Sequence, residues 1–194
     1  MARRTYPRSA ESHERKAASI LRRHAETTGQ ALSLPVPIEM IVEQTYELTV
    51  IYDNIDEPDD AMILGALDPS SRTIVMNEAH QDLFEDVIGP DRFTLAHELS
   101  HWVYDADDPN QMALFRPDGN DRVFCLDRRA VGLSDSERIR EVNANKLAAA
   151  LLLPASLVLD EAHRIATVDH RTLASSWGVS QQAFAIRLEQ LGFS

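Results

Sequence analysis

Two histidines four residues apart, with a glutamate beside the first, are the side chains best suited to chemistry. Residues 97–101 have the sequence HELSH, the H-E-x-x-H pattern. On an α-helix, residues four apart differ by about 40° around the axis, so His97 and His101 project from one face and can share a metal ion. Glu98 lies about 100° from His97, where it can reach a water on the metal. The spacing predicts His97 and His101 as metal ligands and Glu98 as a general base.

The residues around this pattern favour a buried helix over a surface helix with two ordinary histidines. Gly89 and Pro90 break the chain, and Asp91 is a good N-cap for a helix from about Arg92 to Tyr104. Apolar residues are spread over the faces of that helix: Phe93, Leu95, Ala96, Leu99, Trp102 and Val103.

A third ligand is needed, because a catalytic zinc site uses three protein ligands and keeps a fourth position open. No other histidine has ligand spacing, so we expect a carboxylate from a second helix. Asp135 and Glu137 lie in the first turn of that helix, where the helix dipole explains acidic residues. Glu141 lies deeper, but spacing alone explains it equally well as an ion-pair partner of Arg138.

The elements that must position these residues predict an α+β fold with a small sheet. Pattern and capping signals predict the following elements: a helix from Ser9 or Ser12 to about Thr28, ended by Gly29; a helix after residues 35–37; a strand at 48–52; a hairpin of 61–67 and 72–76; a strand at 123–126; a helix from the Ser134/Glu137 capping box to Pro154, with Ile139, Val142, Leu147 and Ala150 on its apolar side; and two or three short helices at the end.

Two longer runs resemble the ImmA/IrrE metallopeptidases. Residues 92–102 (RFTLAHELSHW) resemble the active-site helix of that family, and residues 141–154 (EVNANKLAAALLLP) resemble its E-x-x-A-N-x-F-A-A-x-L-L-M-P helix. The leading Glu of the second helix is the family's third zinc ligand, so the resemblance implies that role for Glu141. Leu147 and Leu153 replace the usual Phe and Met. The likeness extends over about residues 12–194.

The resemblance implies a domain organisation and an activity. It implies a minimal zincin-like metallopeptidase domain at 1–155, with a basic N-terminal extension, followed by a helical, helix-turn-helix-like subdomain at 156–194. The implied activity is regulatory cleavage of a helix-turn-helix repressor that controls a stress response or a mobile element. Zn²⁺ is the expected cofactor, although this ligand set also accepts Mn²⁺ or Fe²⁺.

Other residues are candidates for supporting roles. Asn145, one turn after Glu141, either orients a ligand or is an ordinary amide on the helix face. Tyr104, His163 and His170 are candidates for assisting the oxyanion, each with a structural role as the alternative.

The formal net charge of −12 is unevenly distributed. Residues 1–24 carry seven Arg and Lys against two Glu, a local charge of +5, which leaves −17 for the remainder. An acidic body repels phosphate backbones, which argues against nucleic acid as the main partner. The tail after Leu157 also has more acidic than basic residues, so we interpret it as a packing or substrate-docking module.

The single cysteine, Cys125, excludes an internal disulfide framework and is typical of a reducing compartment. No N-terminal segment has the apolar centre of a signal peptide. The most apolar stretch, residues 147–159, is interrupted by Pro154 and Ser156 and is too short to span a bilayer. We therefore expect a cytoplasmic protein with no membrane partner.

Two other functions are compatible with the same residues. One is a zinc-binding protein that sequesters a repressor without cutting it, and the other is a DNA-binding regulator with a structural zinc. Glu98 favours the peptidase, because a purely structural site has no need of a base beside the water.

Overall fold

The computed structural model describes residues 7–58, 62–106, 123–126 and 134–193, with the backbone alone for 105–106 and 123–126. The fold is α+β, as predicted. Its helices are α1 Ala10–Thr28, α2 Ile38–Met40 with a following π-helical turn Ile41–Thr45, α3 Gln81–Asp86, α4 Pro90–Ala106, α5 Asp135–Leu152, α6 Ala155–Asp160, α7 Ala162–Thr167, α8 His170–Ser176 and α9 Gln181–Gln190. Its strands are β1 Thr49–Asp53, β2 Ile63–Asp68, β3 Thr73–Asn77 and β4 Val123–Leu126.

The four described strands form one mixed sheet in the order β1-β3-β2-β4. The predicted hairpin is confirmed as the antiparallel pair β2 and β3, within one or two residues of the predicted ends. The Asp68 side chain holds the turn by accepting from the Ser70 backbone N–H at 3.0 Å. The strand predicted at 123–126 is β4, which pairs antiparallel with β2. The parallel pairing of β1 with β3 is a feature that the sequence analysis did not predict.

The two faces of the sheet carry different clusters. Alternation along β3 places Ile74 and Met76 in the main core, while Val75 belongs to a smaller cluster with Ile55. The main core lies where α4, α5 and α1 pack together. α4 is therefore enclosed between the sheet and α5, which is the arrangement needed to bury its polar residues.

The ends of the long helices follow their capping residues. Ser9 caps α1, and Gly29 ends it with φ of 70°. The Ser134/Glu137 capping box at the start of α5 is confirmed. α4 begins at Pro90, two residues earlier than predicted, because proline suits the first helical position; Asp91 lies inside the first turn and is not the cap.

Two details of the predicted helices are wrong. Val142 was placed on the apolar side of α5, but it is 41% exposed, because the neighbouring helices cover the sides of α5 that carry Ala144 and Leu147. The segment after α5 contains four short helices within residues 155–190, where two or three were predicted.

The C-terminal helices are tied to α1 and to the end of α5 by one buried arginine. Arg187 of α9 forms an ion pair with Glu14 at 2.7 Å and donates from Nε to the Leu153 carbonyl at 2.8 Å. The main hydrophobic cluster likewise includes residues from both sides of position 155. The domain division at 155/156 stays a prediction.

One segment, residues 135–160, is long and apolar enough to pass a test for a membrane span, but 56% of the scored window is buried inside the fold. More than half of this window therefore packs inside the fold, as in a core helix. No other helix among the described residues passes the test.

We predict that Asn77→Ala lowers the free energy of unfolding by about 2–3 kcal/mol, because Asn77 ties the end of β3 to two neighbouring segments. Its buried side chain accepts from the Ile55 N–H at 3.2 Å and donates to the Ile63 carbonyl at 2.8 Å. Chemical denaturation measures the change. The control is Asn54→Ala at an exposed position, for which we expect less than about 0.5 kcal/mol. Equal losses in the two variants would contradict the assignment.

Candidate metal centre

Antiparallel packing of α4 against α5 brings together three side chains of the types that bind metal ions. The Nε2 atoms of His97 and His101 are 2.9 Å apart. Glu141 of α5 places Oε2 at 3.2 Å from His97 Nε2 and Oε1 at 3.3 Å from His101 Nε2. His97, His101 and Glu141 form a group that could bind a metal ion, with all ligand atoms within 4.8 Å of one another.

The cluster is buried because of the position of α4 between sheet and α5. His97 and His101 are almost inaccessible to solvent, and Glu98 has no exposed surface. The Glu141 side chain retains 19% exposure and is therefore the open side of the group. A site with one open side admits a ligand from solvent while the apolar core shields the remainder.

Each imidazole is held in a form suited to metal binding. His97 donates from Nδ1 to Asn145 Oδ1 at 3.0 Å, which leaves Nε2 free to face the cluster. Burial lowers the pKa of His101 to about 4, although its contact with Glu141 acts in the opposite direction. Burial alone would raise the pKa of Glu141, but the contacts with His101 and His97 outweigh it and lower the pKa to about 2. At neutral pH the group therefore offers a neutral His101 and an ionised carboxylate.

The donor set fits a divalent ion such as Zn²⁺. Two imidazole nitrogens and a carboxylate face a common space, and when the His101 proton is on Nδ1 all three present lone pairs that a cation can accept. Ligands bound at 2.0–2.1 Å to a tetrahedral ion are about 3.3 Å apart, close to the separations seen between His97, His101 and Glu141.

Glu98 gives a second, independent indication of a missing group. Both carboxylate oxygens of Glu98 are buried, and neither has a hydrogen-bond partner among the described residues. Burial, followed by the negative charge of Glu141, raises the pKa of Glu98 well above its usual value. A buried carboxyl left without a partner is costly, so a partner such as a water on the metal fits the position.

Close contact between β2 and α4 fixes the position of Glu98. A Cβ atom at Gly65 would lie 2.5 Å from Thr94 Cγ2 and 3.7 Å from Glu98 Cγ, so only glycine allows this approach. Thr94 cannot easily move, because it is buried and its hydroxyl donates to the Pro90 carbonyl at 2.8 Å. The sequence analysis missed Gly65, although a glycine inside a strand is a known signal of close backbone approach.

Arg92 is another residue whose importance only the structure shows. Its guanidinium pairs with Glu39 at 2.7 Å and also donates to the Val36 carbonyl. A Cβ atom at Gly178 would lie 2.7 Å from Arg92 Nε. Arg92 therefore joins the start of α4 to the segment before α2 and to the turn between α8 and α9.

The other candidate residues have partners elsewhere or lie outside the described side chains. The Tyr104 hydroxyl is 2.6 Å from His13 Nδ1, and His170 donates from Nε2 to the Ile165 carbonyl at 3.1 Å. His163 is exposed. An oxyanion role for any of the three stays a prediction. Cys125 lies in β4, and its side chain is outside the described part of the structure.

Comparison with protein families identifies the fold around this centre. The model of the IrrE N-terminal-like domain, Peptidase_M78, matches residues 61–189, which include α4, α5 and the C-terminal helices. The chain belongs to the Peptidase_M78 family. Membership confirms the resemblance found in the sequence and indicates a metallopeptidase-like protein.

A solved structure supports the same fold. A Mycobacterium tuberculosis transcriptional regulator superposes with a TM-score of 0.54 over 89% of this chain, at 18% sequence identity. The superposition covers 46% of that protein, so this Peptidase_M78 chain spans about half its length. At this identity the likeness shows the fold alone. No curated protein matches the chain.

We predict that Gly65→Ala lowers both the free energy of unfolding, by about 1–3 kcal/mol, and the affinity for zinc. The added methyl group must push β2 away from the helix that carries the two histidines. Denaturation and zinc titration calorimetry measure the two effects. The control is Gly29→Ala, in which the added methyl group meets no atom within 4 Å. Because the backbone there has φ of 70°, we expect this variant to lose stability but to keep its zinc affinity. Unchanged zinc affinity in Gly65→Ala would contradict the positioning role.

We also predict a graded loss of zinc affinity across two substitutions in α5. Asn145→Ala weakens binding by about 10–100-fold, because His97 loses the acceptor that orients its ring. Glu141→Gln weakens binding further, since it removes the charged ligand itself. Titration calorimetry and the zinc-dependent rise in melting temperature report both effects.

The matched control is Glu137→Gln, one turn earlier on the same helix. Glutamine also completes a capping box, so zinc affinity should stay at the wild-type value. If Glu137→Gln were to impair binding as much as Glu141→Gln, the ligand assignment would be wrong.

Proposed function

We propose that the chain is a zinc-dependent endopeptidase in which His97, His101 and Glu141 hold the ion and Glu98 is the general base. The observation that carries the proposal is the convergence of these three side chains beside a buried carboxyl that has no hydrogen-bond partner among the described residues. A zinc ion when bound lowers the pKa of a water ligand and polarises the scissile carbonyl. Mn²⁺ and Fe²⁺ are compatible with the same donors.

The protein's own residues account for the remaining steps. Glu98 accepts a proton from the attacking water and delivers it to the leaving amine, as the C–N bond breaks. Asn145 holds the His97 ring so that Nε2 faces the reaction space. The apolar packing of α4 excludes bulk water, which increases the effect of each charge near the reacting carbonyl.

The proposed substrate is a helix-turn-helix transcriptional repressor, and the proposed location is the cytoplasm. The acidic body of the chain favours association with a basic, DNA-binding partner. The structurally similar Mycobacterium tuberculosis protein is described as a transcriptional regulator, which agrees with a role in gene control. The lone cysteine is compatible with a reducing compartment.

We predict that Glu98→Gln lowers the rate of repressor cleavage by at least about 100-fold while zinc and repressor binding are retained. The amide keeps the shape of the carboxylate but cannot accept the proton. The experiment combines purified, zinc-loaded protein with helix-turn-helix repressors from the same genome. Mass spectrometry follows cleavage, and co-purification follows binding.

The same experiment separates the peptidase from the two other functions. If wild type and Glu98→Gln bind a repressor and both leave it intact, the protein sequesters its partner and the peptidase proposal fails. Salt-dependent binding to DNA by both proteins, without repressor cleavage, would favour a DNA-binding regulator.

A further inference from the structure

A pocket lies along the α4–α5 contact, next to the metal centre. Its volume is about 240 Å³. The side chains that line it come from β2, α4, α5 and the start of α9, and most are apolar: Leu64, Phe93, Ala149, Leu152, Val179 and Ala183. None of the site residues discussed so far accounts for this pocket.

The pocket begins one helical turn from His97 and two turns from His101. Phe93 precedes His97 by one turn, and the two ring centroids are 6.3 Å apart. On the facing helix, Ala149 follows Asn145, the partner of His97, by one turn. One turn is about 5.4 Å, whereas an extended peptide advances about 3.3 Å per residue. A peptide with its scissile carbonyl at the cluster therefore carries a neighbouring residue, one or two positions away, over the pocket.

A bulge in β2 supplies one wall. In the pairing of β2 with β4, Ile63 lies opposite Leu126 and Gly65 lies opposite Cys125. The two partners in β4 are adjacent, so Leu64 is an extra residue in β2 with no partner in β4. The bulge interrupts the alternation of side chains and turns Leu64 toward the helices, where it lines the pocket with Phe93.

The turn between α8 and α9 supplies the opposite wall. Gly89, just before α4, is so close to this turn that a Cβ atom there would lie 2.8 Å from the Ser180 backbone nitrogen. This close packing holds Val179 and Ala183 at the pocket. The C-terminal helices thus contribute directly to a surface beside the metal centre.

The chemistry of the pocket selects an apolar occupant. Among the described residues that line it there is no charged side chain, and a single hydroxyl, that of Ser180, accepts from the Ala183 N–H at 3.2 Å as the cap of α9. A polar side chain would lose its water here and gain at most the O–H of Ser180 as a partner, and a charged one would gain no counter-charge among these residues. An apolar cavity of about 150 Å³ is enough for a benzene ring, so this pocket has room for Leu, Ile, Met or Phe.

We propose that this pocket binds one apolar side chain of the protein substrate, one or two residues from the scissile bond, and that the C-terminal helices thereby contribute to cleavage specificity. The proposal rests on the peptidase function and adds to it a requirement in the substrate. The predicted docking role of the tail then has a defined position, at Val179 and Ala183.

The test compares two alanine-to-leucine variants on the same helix. Ala183→Leu fills the pocket, whereas Ala185→Leu places the same side chain on the exposed face of α9. Each zinc-loaded protein is incubated with a peptide library made from a digested bacterial proteome, and cleavage sites are read by mass spectrometry. Wild type and Ala185→Leu should prefer a large apolar residue at one fixed position by about ten-fold or more. Ala183→Leu should lose that preference or shift it to Ala and Gly.

A second variant and a binding measurement guard against misfolding of Ala183→Leu. Leu64→Ala enlarges the pocket from a half-buried position and should shift the preference toward Phe. Methyl NMR of Glu98→Gln, titrated with N-acetyl-leucine methylamide, should show shifts at Leu64, Ala149 and Ala183. The same titration with N-acetyl-aspartate methylamide should show none.

The outcomes distinguish this proposal from the peptidase function. Cleavage without a positional preference, or with equal effects of Ala183→Leu and Ala185→Leu, overturns the pocket and leaves the peptidase intact. Methyl shifts with the leucine probe but no cleavage support the pocket and overturn the peptidase. Neither shifts nor cleavage would overturn both.

Discussion

Three polar side chains meet inside an apolar core at the α4–α5 contact, and the surrounding structure is organised around them. The Nε2 atoms of His97 and His101 are 2.9 Å apart, and the Glu141 carboxylate lies within 3.3 Å of both. His97 donates from Nδ1 to Asn145, so its neutral ring presents a lone pair at Nε2, and the low pKa of Glu141 keeps that carboxylate ionised at neutral pH. The low pKa of His101 disfavours a positively charged ring, so the acceptor atoms share either a single N–H at His101 Nε2 or a divalent cation.

The surrounding fold holds these atoms together. β2 approaches α4 through Gly65, and α5 places Glu141 and Asn145 one turn apart on the side that faces the histidines. Arg92 fastens the start of α4 to α2 through its ion pair with Glu39. Among the described side chains of the cluster, Glu141 retains the most exposure, so the group is open to solvent on that side.

Some of this arrangement could be predicted from the sequence, and the reasons are physical. The H-E-x-x-H spacing and the Ser134 capping box are local signals, and the two helices they define are present. The third ligand was ambiguous from spacing, because Glu141 is equally suited to a surface ion pair; the family resemblance selected it. The structure places Glu141 beside both histidines, while the catalytic and ligand roles themselves stay predictions.

Other features depend on contacts between distant segments and left no clear local signal. The parallel pairing of β1 with β3, the exposure of Val142 and the contact of Gly89 with Ser180 are set by how elements pack, not by their own sequences. The bulge at Leu64 is of the same kind, since it is defined only by the register with β4. These contacts shape the pocket, so the pocket could not be predicted from the sequence.

X-ray absorption spectroscopy at the zinc edge is the most direct test of the metal centre. The purified, zinc-loaded protein should contain one ion per chain, with two imidazole rings and carboxylate or water oxygens as ligands at about 2.0–2.2 Å. A sulfur ligand at about 2.3 Å, which only cysteine or methionine can supply, would contradict the assignment. So would a spectrum with fewer than two imidazoles, because His97 and His101 would then not share the ion.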